Sequence, residues 1–419
     1  MLIKINHIAK MEGHTGFMAS VLSGDVASAK LEVQEGIRLI EGVLIGRNFK
    51  DMPIVAQRIC GICPVVHNLT AIKSIENALG IQPSEESEKL REVMELGQII
   101  HSHALHLFFL SLADFLDIDN DIKLVQEYPE ETKKAIRLRE YGMEIVKVIG
   151  GRVVHPLTNE PGGFKKAPDA EALKKLVADS PRVLNDALAL GEFFRGIKLP
   201  DFSRETEYVS LYQNNHYAIY DGDIISNRGL HIPVSAFESN FLELQKQHEV
   251  VKRVEHNGKS YLIGAIARVN LNRDKLKPRA FEYLSKLNWK FPNYNPFDNI
   301  LAQMVEVIHA IEESQLLIKQ LLQSDLNQVI TKEYEIKAGA GCAAVEAPRG
   351  TLYYHVDIDL KGYIKNVNII TPTAQSLSNL EDDVVEYIPH IMNLSDKERE
   401  RKLRAFIRAY DPCISCAVH

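Results

Sequence analysis

Four of the five cysteines in this 419-residue chain stand in two Cys-x-x-Cys pairs at its opposite ends, Cys60-Gly61-Ile62-Cys63 and Cys413-Ile414-Ser415-Cys416. A histidine follows each pair, His67 and His419. Two-residue spacing lets two sulfurs converge on one ion, so two pairs brought together make a four-thiolate site for a soft or borderline metal. A fold that uses them must return the tail to residues 58–67. Two other uses of the motif stay open. Structural zinc is one, although its pairs usually sit about 15 to 20 residues apart in one small module. A redox dithiol is the other, although it is normally a single pair after a strand and leaves the second pair unexplained.

With 45% hydrophobic residues the chain can bury a sizeable core. Lys plus Arg (49) against Asp plus Glu (56) gives a net charge of −7. No basic run or aromatic-interleaved patch suggests nucleic acid. The N-terminus lacks the apolar core of a signal peptide, and no stretch reads as the roughly 18 apolar residues of a membrane span. A cytoplasmic, reducing location is therefore expected, which suits metal-held thiolates better than disulfides. Cys342 has no neighbour at ligand spacing and reads as a small buried hydrophobe.

Residues 1–35 alternate apolar and polar around turns at Glu12-Gly13 and Ser23-Gly24-Asp25, the pattern of an antiparallel meander. By itself Glu12-Gly13-His14 reads as a solvated turn. Residues 36–47 predict a short helix that sets Glu41 among buried neighbours, where a carboxylate needs a cation or a proton. Asn68 to Leu79 has helical periodicity and ends on Gly80. The first cysteine pair thus lies on a loop entering a helix, where main-chain N–H groups stabilise thiolates. A nearly uninterrupted helix is expected over 85–117. Its His101, His103 and His106 fit core histidines with one or two hydrogen bonds each better than a metal site. Further helices are expected at about 130–148, 168–195, 296–325 and 383–409, and a β-hairpin over 350–371. Arg349 stands between Pro348 and Gly350 in an apolar stretch, where loop exposure and function are both open. Residues 200–290 read as a mixed, surface-like insertion with two strand-like runs. Without a repeat or flexible linker, the expectation is a single domain over 1–419, mostly α, with a long-helix bundle and small flanking antiparallel sheets.

Taken together, Arg58-x-Cys60-Gly61-x-Cys63-x-x-x-His67 and Asp411-Pro412-Cys413-x-x-Cys416-x-x-His419 resemble the two signature motifs of the large subunit of nickel-iron hydrogenases. The resemblance runs the length of the chain. Glu12-Gly13-His14 is similar to the family's Arg-x-Glu-Gly-His, with Lys10 in place of Arg. Residues 37–47 resemble its Arg-Gly-x-Glu segment, 155–163 its His-Pro…Pro-Gly-Gly loop, 346–350 its Glu-Ala-Pro-Arg-Gly, and Pro372-Thr373 the Pro-Thr that follows. The related quinone-site subunit of respiratory complex I lacks the four cysteines.

The resemblance implies the hydrogenase large-subunit fold and a nickel bound by all four thiolates. Cys60 and Cys413 would be terminal, and Cys63 and Cys416 would bridge to an iron carrying CO and two cyanides. Dihydrogen would be split heterolytically, the proton leaving through Cys413 and then Glu12. Arg349 would sit over the open site, Thr373 would bond a cyanide, and His67 the sulfur of Cys63. Glu41, the carbonyl of Ile369 and His419 would hold a magnesium that pins the tail. One departure alters the charges above the site: His101-Ser102-His103 stands where the family often has His-Asp-His. The chain ends on His419, where family precursors carry a removable extension. No cysteine is left for an iron-sulfur cluster, so a small subunit must carry it. The resemblance is to the soluble multi-subunit types that pass electrons to NAD(P), ferredoxin or a deazaflavin, with flavin in partner subunits and electron bifurcation as one form. A dihydrogen sensor with the same site is the alternative.

Overall fold

The computed structural model describes residues 1–22, 25–118, 120–245 and 249–418. The opening alternation folds as three antiparallel strands paired in order, β1 (Leu2–Ile5), β2 (Thr15–Leu22) and β3 (Asp25–Val33). Ser23 and Gly24 of the expected second turn lie outside the described residues. The next helix is shorter than its apolar spacing suggests, α1 (Ile40–Leu44). Leu39 enters it in the left-handed region, at φ 53°, and Ile45 leaves it extended. Leu39, Val43 and Ile45 face solvent, so Glu41 is half-buried and not in a buried setting as its spacing implied. The ammonium of Lys252 lies 3.2 Å from its carboxylate.

Helix α2 (Pro64–Leu79) starts with proline in its first turn and stops at Gly80, whose φ of 66° is the left-handed cap expected there. Helix α3 (Glu85–Ala104) begins at Ser84, whose side chain accepts from the Ser87 N–H. It widens into a π-helical turn, Leu105–Ser111, before Leu112–Phe115, a break with no signal in the apolar periodicity. By length and composition the run Glu85–Phe115 could cross a membrane, contrary to the reading that no stretch could. Its most apolar window is 83% buried inside the protein, as a core helix would be.

Helices α4 (Pro129–Gly150) and α5 (Ala170–Arg195) follow. The segment read as a surface insertion is instead core. It supplies β4 (Glu207–Tyr212), β5 (Asp223–Ser226), β6 (His231–Ile232) and β7 (Tyr261–Leu262), one sheet ordered β7-β4-β5-β6 with β7 parallel to β4. Helix α6 (Ala265–Asn272) comes next, and Tyr208, Tyr261 and Arg268 here are fully buried. Helix α7 (Asn299–Leu321) closes a bundle with α3, α4 and α5.

The expected hairpin gains a third strand, because the Gly-Ala-rich approach is itself extended. The sheet is β8 (Gly339–Ala347), β9 (Gly350–Ile358) and β10 (Ile364–Ile370), all antiparallel, with α2 lying across β8 and β9. Cys342, in β8, is half-buried and not buried as expected. Helices α8 (Pro372–Ile391) and α9 (Asp396–Ala409) deliver the tail to a last turn, α10 (Ile414–Ala417). The architecture is thus mostly α, a long-helix bundle with small, largely antiparallel sheets at its flanks.

Candidate metal centre

The tail comes home to the first pair. Cys60 Sγ lies 3.5 Å from Cys413 Sγ, Cys63 Sγ 3.4 Å from Cys416 Sγ, and Cys413 Sγ 2.9 Å from Cys416 Sγ. All four sulfurs are buried and fall within 4.8 Å of one another, the one such grouping of possible metal ligands among the described residues. His101, His103 and His106 do not join one. His103 pairs with Glu306 at 2.8 Å, and His106 bonds Gln303 at 2.6 Å and the Arg408 carbonyl at 2.8 Å.

Each pair is placed differently. Cys60 sits on the loop before α2, and its sulfur accepts the N–H groups of Ile62 and Cys63, both at 3.3 Å. The buried Gln98 of α3 accepts the Val65 N–H at 2.8 Å and so ties the start of α2 to the bundle. Cys413 is held from afar. Its N–H donates to Thr373 Oγ1 at 2.9 Å, and the Ile414 N–H donates to the Glu12 carbonyl at 2.9 Å. Gly13, at φ 88°, must be glycine here, since a Cβ would meet the Ile414 side chain at 2.7 Å. That close approach brings Glu12 Oε2 to 3.1 Å from Cys413 Sγ, where it also accepts the Ser415 N–H at 3.1 Å and the Ser415 hydroxyl. Glu12 is therefore no solvated turn residue.

Arg349 is buried above the sulfurs, which removes the reading of an exposed loop arginine. Its Nη2 donates to Asp411 Oδ1 at 2.8 Å, its Nε to the Asp411 carbonyl at 2.9 Å, and its Nη1 reaches Ser102 Oγ at 3.4 Å. Burial works against its proton, but Asp411 and the sulfurs outweigh burial and hold the guanidinium charged. With Ser102 on the long helix, the carboxylate that pairs with Arg349 is Asp411 of the tail motif. Thr373 is occupied with the Cys413 N–H, which leaves its hydroxyl hydrogen free to donate. His67 Nδ1 meets the Tyr354 hydroxyl at 2.8 Å, and its Nε2 lies 3.7 Å from the sulfur of Cys416, where the resemblance pointed to Cys63. Glu41 accepts the N–H of Ile369 at 2.8 Å. His419 lies outside the described residues.

The donor set fits a soft, multiply charged cation. Contact with Cys413, then with Cys416 and Cys63, holds the Cys60 thiol well below its ordinary range, while burial pushes Cys413 and Cys416 well above theirs. Four anions cannot share this volume without compensation, and a bound metal ion is what would let all four be thiolates. Sequence reasoning assigned no role to Asp411, Ser415, Tyr354 or Gln98. Asp411 and Ser415 stood inside the quoted tail motif, and that was their only signal; Tyr354 and Gln98 had none.

A match to the family described as nickel-dependent hydrogenase covers residues 38–141 and 204–419. The chain is 34% identical to the alpha chain of sulfhydrogenase 1 from Pyrococcus furiosus, over 100% of this chain and 97% of that one. It is 26% identical to the beta chain of the NAD-reducing hydrogenase HoxS of Cupriavidus necator, over 99% and 94%. Its fold superposes with a TM-score of 0.90 on a chain of an NAD+-reducing [NiFe]-hydrogenase in the H2-reduced state, at 24% identity over 100% and 99% of the two chains.

Proposed function

The chain belongs to the nickel-dependent hydrogenase family as a catalytic large subunit, and from that premise we propose how its own residues serve dihydrogen chemistry and where its electrons go. Cys60, Cys63, Cys413 and Cys416 would hold the nickel-iron centre. When bound, that centre supplies a redox-active metal pair that polarises dihydrogen. The protein's part is proton handling and electrostatics. Glu12 Oε2, 3.1 Å from Cys413 Sγ, is the general base that takes the proton from this sulfur, and Ser415 aims that oxygen. Arg349 fixes positive charge over the site without giving up its proton, because Asp411 holds it charged. Thr373, beside Cys413, would offer its hydroxyl hydrogen to a cyanide of that centre, and His67 lies beside the sulfur of Cys416.

The observation that carries this reading is the contact of one carboxylate with one of four converging sulfurs. Electrons leave through a partner, since Cys342 is the one remaining cysteine and iron-sulfur clusters need several thiolates. Leu39, Val43, Ile45, Ile54 and Leu157 are exposed apolar side chains that such a small subunit would cover. The subunit designations of the named relatives support a multi-subunit assembly, and the NAD-reducing activity named for two of them supports NAD as the terminal acceptor, which flavin in partner chains would serve. Glu41, the Ile369 carbonyl and His419 would hold a magnesium that pins the tail.

Elemental analysis and infrared spectroscopy of the purified complex test this, followed by dye reduction under dihydrogen. Nickel and iron in equal amounts, bands of metal-bound CO and cyanide, and rapid turnover are expected. Zinc without nickel overturns the site assignment. A loaded site with almost no turnover makes the protein a sensor.

A further inference from the structure

Behind Arg349 lies a buried charge cluster with no place in the proton route. Arg268 of α6 is fully buried. Its Nε donates to Glu306 Oε1 at 2.6 Å, and its Nη2 to Glu306 Oε2 at 2.7 Å and to the Pro348 carbonyl at 3.1 Å. Its Nη1 donates to Glu346 Oε2 at 2.8 Å and to the Ala347 carbonyl at 2.9 Å. All five N–H donors of the guanidinium are therefore used. Its acceptors include three consecutive residues, Glu346, Ala347 and Pro348, immediately before Arg349.

The cluster is braced on every side. Glu346 Oε1 accepts the Leu211 N–H at 2.8 Å and the Thr351 hydroxyl at 2.7 Å. Glu306 accepts the Tyr217 hydroxyl at 2.7 Å and pairs with His103, the neighbour of Ser102. Gly350, on the far side of Arg349, holds φ 126° with its Cα against Ile263, where a Cβ would come within 2.4 Å of that side chain. The turn carrying Arg349 is thus fixed by side chains from α6 and α7 and by a main-chain N–H of β4, as well as by its own strands.

Stability alone does not call for such a device. Replacing a buried ion cluster by apolar groups of similar volume is often neutral or stabilising, whereas a planar five-donor fork fixes geometry as no apolar contact can. We propose that Arg268 is a positioning residue for Arg349: bridging Glu306 and Glu346 while gripping the Ala347 and Pro348 carbonyls, it sets where the Arg349 guanidinium stands over the four sulfurs. This rests on the role given to Arg349 above. It makes the 200–290 segment part of the active-site scaffold.

A double-mutant cycle tests it, using the complete enzyme complex and dihydrogen oxidation with a dye. Arg349→Lys should lower turnover by about a hundredfold, the scale for removing one oriented donor from an active site. Arg268→Lys keeps the charge but cannot make all five bonds, and should lower turnover by about tenfold, with nickel content unchanged. In the Arg349→Lys background the same change should cost less than twofold, because a residue that acts through another loses its effect when that other is gone. Independently of turnover, amide hydrogen exchange in metal-free Arg268→Lys should accelerate in residues 346–351 and not in the Cys60 loop. Should Arg268→Lys fail to fold, Thr351→Val removes one brace of Glu346 and should cost about threefold in the native background alone. Equal losses in both backgrounds, or no loss, overturn the clamp. If Arg349→Lys keeps full turnover, the role of Arg349 fails and the clamp falls with it; if only Arg349→Lys is impaired, the clamp alone is wrong.

Discussion

The two cysteine pairs meet at one point but are held there in opposite ways. Cys60 and Cys63 are placed almost entirely by their own neighbourhood: two main-chain N–H groups on one sulfur, a proline-started helix, and Gln98 on that helix's first turn. Cys413 and Cys416 have only a four-residue helical turn of their own, and their position is imposed by Thr373, Glu12 and Arg38, whose N–H donates to the Val418 carbonyl at 3.1 Å. The first pair is a fixed floor and the second a closing wall. Chemistry that needs a carboxylate beside sulfur is found on the wall, because there the connection between β1 and β2 reaches the site and brings Glu12 to Cys413.

Removing the wall's terminal sulfur should have the largest effect. Cys413→Ser replaces a soft ligand by a hydroxyl that binds such metals poorly and deletes the sulfur facing Glu12. Turnover of the purified variant should fall below about 1% of native, as expected when one of four soft ligands is lost. Appreciable dihydrogen oxidation by it would break the contrast between the pairs.

Glu12→Gln sharpens the same contrast, since it keeps the shape beside Cys413 and removes the charge. Oxidation and evolution of dihydrogen should both fall by roughly 10²- to 10⁴-fold, the range for a positioned acid-base group, with nickel content unchanged. Normal turnover would move proton exit elsewhere, with Arg349 as the next group to test.

What the sequence revealed follows this division. Motif spacing, the alternation of residues 1–33, the Gly80 cap and the core histidines are local patterns, and each could be read from a window of a few residues. The metal cluster was legible because its spacing repeats. What escaped was long-range. Arg268 looks like one charge in an apolar helix, and its meaning is carried by Glu306 and Glu346. Asp411 is the carboxylate that pairs with Arg349, which the local His-Ser-His pattern cannot disclose. The 200–290 segment looked peripheral because its tyrosines and turns suit a surface, yet several of its side chains are buried against distant partners, as Tyr217 against Glu306.

The wall's dependence on remote contacts can be probed without metal. Thr373→Val leaves the buried Cys413 N–H without its acceptor, at a cost of about 1–3 kcal/mol. In metal-free protein, alkylation of Cys413 should quicken by about tenfold, the low end of that energy, while Cys60, held by its own loop, should keep its native rate. Equal acceleration at both sulfurs would mean that the site opens as one unit and that floor and wall are no real distinction.

The smallest expected effect is at the outer end of the tail, and it separates two causes of the same closure. Glu41 and Lys252, each about one quarter exposed, lie 3.2 Å apart, and Lys252 also meets Glu243 at 3.2 Å. A partly exposed pair of this kind contributes about 0–1 kcal/mol. A magnesium bound only in the folded state would contribute on the order of 2.7 kcal/mol at a hundredfold excess over its Kd. The two sizes can be told apart. If magnesium pins the tail, a chelator should lower the melting temperature of the native protein by a few degrees, and Glu41→Ala should lower it as far without the chelator and show no further response. Lys252→Met, which deletes the competing cation and spares Glu41, should leave the chelator response intact or enlarge it. A native protein whose melting temperature ignores the chelator would make Lys252 the working partner of Glu41. Glu41→Ala and Lys252→Met should then lower the melting temperature equally.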